Sequence, residues 1–108
     1  MKVLIIEDER LVARVMTRML RAHDLTVVDT IAQLDAPGPF DVAFCDAGFH
    51  TIDEIQNLRK QVTGTFVLMS GDYPSDPVLA QLLEDGIVEW LAKPFKSCLL
   101  YTSDAADE

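Results

Sequence analysis

The chain has little of what a covalent staple, a membrane anchor or a nucleic-acid surface requires. Its two cysteines, Cys45 and Cys98, are too few and too far apart to suggest a disulfide framework or a metal-binding pair. One sits in an apolar run and the other in an atypical tail, so a buried thiol and an incidental one are expected. No apolar run approaches the roughly 18 residues of a membrane-crossing helix. The N-terminus enters a strand-like segment within a few residues, without a basic stretch followed by an apolar one, and we expect a cytoplasmic protein. Positive charge is also scarce: 9 Lys and Arg stand against 18 Asp and Glu, for a formal net charge of -9. Phosphate neutralisation needs clustered cations, so direct nucleic-acid binding by these residues is not expected. Neither an internal repeat nor a low-complexity linker interrupts the 108 residues, and a hydrophobic content of 49% can close one modest core.

What is present is a set of short apolar runs, each ending on a polar residue. Val3-Leu4-Ile5-Ile6 breaks into Glu7-Asp8-Glu9. Val42-Ala43-Phe44-Cys45, between Asp41 and Asp46, is too short for a helix and reads as a strand buried on both faces. Phe66–Met69 ends on Ser70-Gly71, Ile87–Ala92 ends on Lys93-Pro94, and Leu25–Val28 is a fifth run. Helical patterns lie between them. Leu11, Val15 and Met19 recur every four residues, as do Val12, Met16 and Leu20, predicting a helix from Arg10 to about Ala22 with acids at its positive end. Ile52, Ile55 and Leu58 predict another, with Thr51 as its cap and Gly64 beyond its end. Asp76-Pro77 opens a third, whose inner face is Val78, Leu79, Leu82 and Leu83, up to Gly86. Ile31–Leu34 predicts a short helix before the Pro37-Gly38-Pro39 loop.

Alternating strands and helices predict an α/β domain with a five-stranded parallel sheet and right-handed crossovers. In such a sheet every strand's carboxyl end lies on one edge, where ligands bind. Glu7, Asp8, Asp46, Ser70 and Lys93 should therefore converge although they are scattered along the chain. Carboxylates brought that close repel by about 4 kcal/mol per pair at ~4 Å and an effective dielectric of ~20, so a positive group belongs among them. Lys93 supplies one charge. An all-oxygen site suits a divalent cation, Mg²⁺ before any metal that favours Cys or His. With a lysine and a hydroxyl nearby, the set fits phosphoryl transfer, in which Asp46 would be the nucleophile.

These residues carry a family resemblance. From about Met1 to Phe95 the chain resembles the receiver domain of bacterial two-component response regulators, a flavodoxin-like doubly wound fold with strand order 2-1-3-4-5. Glu7-Asp8 match the family's acid pair, Asp46 its phosphorylated aspartate, Ser70 its switch hydroxyl and Lys93-Pro94-Phe95 its lysine signature. The resemblance implies that Asp46 takes a phosphoryl group from a sensor histidine kinase or a phosphotransfer protein. Mg²⁺ would be held by Glu7, Asp8, Asp46 and the Gly48 carbonyl. Lys93 would bind the phosphoryl oxygens across a cis Lys93-Pro94 bond, and Ser70 and Trp90 would move on phosphorylation to alter the surface around the last strand. It implies a phosphoacceptor with at most self-phosphorylation and self-dephosphorylation, and no enzyme in the ordinary sense.

Other features leave alternatives. Arg10, Arg14, Arg18 and Arg21 fall at helical spacing, as a solvated face or as a docking face for the kinase. The loop Ala47-Gly48-Phe49-His50-Thr51 lacks the family's proline-containing turn, which keeps open a phosphate-independent interaction module; a metal-dependent hydrolase ranks third, for want of a further base or substrate pocket. His23 and His50 are expected in loops or at a helix end, with no catalytic or relay role. Residues 98–108 sustain no buried helical stripe and resemble the translated read-through of a transposon-end sequencing adapter. We therefore expect a receiver domain over 1–97, its final helix truncated or replaced, and a non-native tail over 98–108, with any output domain lost from view.

Overall fold

The computed structural model describes residues 1–35, 38–48, 50–71 and 74–92. Five strands form one parallel sheet: β1 (Lys2–Ile6), β2 (Asp24–Val28), β3 (Phe40–Asp46), β4 (Val62–Ser70) and β5 (Glu89–Ala92). Their order is β2-β1-β3-β4-β5, the flavodoxin-like arrangement expected from the sequence. Three helices, α1 (Arg10–Met19), α2 (Ile52–Arg59) and α3 (Pro77–Glu84), and a 3-10 turn at Ile31–Gln33 fill the connections.

Side-chain alternation along the buried strands separates two apolar layers. Leu4, Ile6, Ala43, Cys45, Phe66 and Leu68 pack with Ile55 and Leu58 of α2 and with Leu79, Leu82 and Leu83 of α3. Val3, Ile5, Val42, Phe44, Val67 and Met69 pack on the opposite face, with Val12 and Met16 of α1. Both faces of β1 and β3 are thus covered, which is why these strands read as continuous apolar runs.

Several boundaries differ from expectation. α1 stops at Met19, so Ala22 lies in the turn that returns the chain to β2, where the Asp24 N–H bonds the Met1 carbonyl at 2.9 Å. Leu11 and Met19 are not part of the inner stripe; they are 49% and 59% exposed. β5 begins at Glu89, two residues later than predicted, and Ile87 is exposed.

The largest correction concerns β4, which starts at Val62, four residues ahead of the Phe66 run expected from the sequence, so that Gly64, beyond the end of α2 as expected, lies inside a strand. The register with β3 shifts between Phe40 and Val42, and a Cβ on Gly64 would run into the Asp41 carbonyl. Glycine here permits backbone approach at a strand irregularity.

The predicted caps are formed. Thr51 Oγ1 accepts the Glu54 N–H at 3.2 Å while Glu54 Oε1 accepts the Thr51 N–H at 2.9 Å, a reciprocal capping box that holds the Glu54 carboxyl below its ordinary pKa. Asp76 Oδ1 accepts the Val78 N–H at 2.8 Å ahead of Pro77-led α3. Among the described residues no helix is long and apolar enough to cross a membrane.

Candidate functional site

The carboxyl edge of the sheet gathers the acids. β1 ends at Ile6, so Glu7 and Asp8 lie just beyond its carboxyl end, and Asp46 closes β3, the neighbouring strand. One carboxylate oxygen from each of Glu7, Asp8 and Asp46 lies within 4.8 Å of the others. Glu7 is 1% exposed and Asp46 is 8% exposed, whereas Asp8 opens to solvent. Charged carboxylates are seldom buried unless their charge is met locally. Local main-chain donors hold two of these carboxylates: the Glu9 N–H donates to Glu7 Oε2 at 3.2 Å, and the Gly48 N–H donates to Asp46 Oδ1 at 3.1 Å. Asp41, at the far end of β3, stays out of the cluster and accepts the Lys2 N–H at 2.7 Å.

Three carboxylates in this geometry form a hard, all-oxygen donor set, exposed to solvent at Asp8. That composition fits magnesium or calcium and lacks the nitrogen or sulfur ligands of a zinc or copper site. The acidic cluster can therefore hold a divalent cation of the kind anticipated from the sequence. Glu7, Asp8 and Asp46 would supply side-chain oxygens.

Ser70 reaches the same edge from β4. Asp46 pairs in register with Met69, and the Ala47 N–H bonds the Met69 carbonyl at 2.9 Å, so Ser70 is the next residue past the partner of Asp46. Trp90 of β5 pairs with Leu68 and donates its indole N–H to Ser70 Oγ at 2.9 Å. The hydroxyl and the aromatic ring named separately in the sequence are thus directly joined. Lys93, Pro94 and Phe95 lie outside the described residues, as do Phe49, Cys98 and the remainder of the tail. Arg10, Arg14, Arg18 and Arg21 are all exposed, which suits either expectation for that face.

Two features near Asp46 carry no sequence motif. Cys45 is buried, and burial, followed by the charges of Asp46, Glu54 and Glu7, pushes its thiol up to about 12. At neutral pH it is a protonated, inert core residue. His50 is the residue sequence reasoning undervalued. Its Nδ1 lies 2.7 Å from the Asp46 carbonyl oxygen, 3.9 Å from Cys45 Sγ, and its Nε2 accepts the Ile31 N–H at 3.1 Å. A lone histidine between a strand end and a cap gives no period or motif from which such a bridge could be read.

No protein-family model and no curated protein matches the chain. A solved structure does: one described as a two-component system response regulator/GGDEF domain protein superposes with a TM-score of 0.68 at 20% identity, over 94% of this chain. The chain has a flavodoxin-like fold. It spans 44% of the length of that structure, and at this identity the likeness speaks for the fold alone. The site's chemistry rests on its own residues.

Proposed function

We propose that this domain is a phosphoacceptor of receiver type, in which Asp46 takes a phosphoryl group from a histidine kinase or phosphotransfer protein. The observation that carries the reading is the cluster of Glu7, Asp8 and Asp46 carboxylates within 4.8 Å at the sheet's carboxyl edge, two of them buried. The bond from the Trp90 indole to Ser70 one residue past the strand partner of Asp46 supports it, as does the fold shared with a response-regulator structure.

In this reading an Asp46 carboxylate oxygen attacks phosphorus in line. The new O–P bond forms as the P–N bond of the donor phosphohistidine breaks, and that bond's electron pair leaves with the imidazole. Gly48 holds the other lobe of the carboxylate through its N–H, and its carbonyl is a candidate fourth oxygen toward the ion. Bound Mg²⁺ would neutralise charge on the carboxylates and on the incoming phosphoryl oxygens. Lys93 binds those oxygens, and the Ser70 hydroxyl turns toward them, releasing Trp90 to change the surface around β5. The exposed arginines of α1 meet the kinase. The domain is a signalling element with self-phosphorylation and self-dephosphorylation at most.

The test is incubation with a small phosphodonor such as acetyl phosphate and Mg²⁺. An acid-stable, hydroxylamine-sensitive adduct is expected in the wild type and absent in Asp46→Asn. A folded protein that forms no adduct refutes the reading in favour of a phosphate-independent interaction module; multiple turnover of an unrelated phosphoester refutes it in favour of a hydrolase.

A further inference from the structure

We infer that His50 is a positioning residue: as the neutral Nδ1–H tautomer it locks the main chain at Asp46 and thereby aims that carboxylate at Glu7 and Asp8. The inference rests on the assignment of Asp46 as ion ligand and phosphoacceptor, and adds a residue to it.

The tautomer follows from the partners. Nε2 takes the Ile31 N–H at 3.1 Å, so it carries a lone pair and the ring proton sits on Nδ1. That proton is donated to the Asp46 carbonyl oxygen at 2.7 Å. Each bond meets a local need. Ile31 opens the 3-10 turn, whose cap residue Thr30 makes no side-chain cap bond, and the Ile31 N–H is one of the helix-end donors that the turn itself does not pair. The Asp46 carbonyl stands at the last position of β3, where the ladder ends and the loop begins.

The ring therefore ties the exit of β3 to the segment that follows β2, two strands that are not neighbours because β1 lies between them. Glu7 emerges from β1 in that interval, its N–H bonded to the Val28 carbonyl at 3.0 Å. Fixing the Asp46 peptide fixes the direction of its Cα–Cβ bond and the start of the turn that delivers the Gly48 N–H to Oδ1 at 3.1 Å. The loop thus secures its geometry with an imidazole.

The experiment uses the full chain and two readouts besides phosphorylation. Long-range proton–nitrogen correlation on 15N-histidine protein reads the His50 tautomer, expected as Nδ1–H. Calorimetric titration with MgCl₂ then compares His50→Ala, which loses both bonds, with His50→Asn, whose amide N–H can keep the Asp46 bond, and His50→Gln, whose carbonyl can keep the Ile31 bond. We expect the alanine variant to bind Mg²⁺ about ten-fold more weakly, the usual lower range for removing a group that orients a metal ligand. Asparagine should recover most of that affinity and glutamine little, with thermal melts verifying that each is folded. If the alanine variant unfolds, the asparagine–glutamine contrast decides. Wild-type affinity in folded His50→Ala, recovery by glutamine and not asparagine, or an Nε2–H tautomer overturns the inference. A wild type that binds Mg²⁺ with this variant order but accepts no phosphoryl group sinks the phosphoacceptor reading and leaves His50 standing; a wild type that binds none sinks both.

Discussion

Replacing Asp46 with Asn should make the domain more stable in the absence of divalent cations and less responsive to them. The three carboxylate oxygens lie within 4.8 Å of one another. At that separation two unit charges repel by about 3.5 kcal/mol at an effective dielectric of about 20. Asp46→Asn removes two of the three repulsive pairs and keeps a side-chain oxygen to accept the Gly48 N–H. Asp8 is exposed and its charge is screened, and the Lys93 cation proposed for this site offsets part of the remaining repulsion, so the expected net gain is about 2 kcal/mol. Magnesium acts in the opposite sense: at one hundred times its dissociation constant, a ligand that binds only the native state stabilises it by about 2.7 kcal/mol. The wild type should receive most of that and the variant, with one carboxylate fewer, much less. Urea unfolding followed through the fluorescence of Trp90, in EDTA and again in MgCl₂, measures both effects. A variant less stable than wild type in EDTA, or magnesium stabilising the two proteins equally, would refute the electrostatic reasoning.

Three further outcomes are expected. Ser70→Ala removes the 2.9 Å acceptor of the Trp90 indole; it should cost about 1 kcal/mol and shift tryptophan emission, and an unchanged spectrum would argue against that contact in solution. Gly64→Ala should destabilise by about 2 kcal/mol, because its Cβ would meet the Asp41 carbonyl and force β3 and β4 apart; a neutral effect in urea would contradict the close approach. Native Cys45 keeps its proton up to about pH 12 while the unfolded thiol releases it near 9.0, so its contribution to stability is intact below pH 9 and falls as pH rises between those values. The decline should be about 1.4 kcal/mol per pH unit, absent in Cys45→Ala, as unfolding midpoints at pH 8.5, 9.5 and 10.5 would reveal.

The helices and strands were legible because their signals are local. β1 and β3 are buried on both faces, so Val3–Ile6 and Val42–Cys45 had to be apolar throughout, and Thr51 and Asp76 cap helices through bonds within three residues. Parallel pairing then sends all carboxyl ends to one edge, and for that reason Glu7, Asp8, Asp46 and Ser70 could be placed together before any coordinates. The early start of β4 was not legible, because a glycine after a helical pattern resembles a stop and hides the strand around it; only the register slip between β3 and β4 reveals the carbonyl that Gly64 makes room for. Leu11 and Met19 satisfied the helical period, yet which part of a stripe is covered depends on what packs above it.

The amino-acid sequence by itself determined the order of the elements, the caps and the chemical types delivered to the ligand edge, since these follow from periodicity and chain direction. Tertiary structure alone decided that the three carboxylates lie within 4.8 Å, that Trp90 bonds Ser70, and that His50 joins Asp46 to Ile31. Such contacts depend on where separate strands end relative to one another and on how a loop folds back. Distances of that kind are set by packing across the sheet, to which no pattern along a single segment is sensitive.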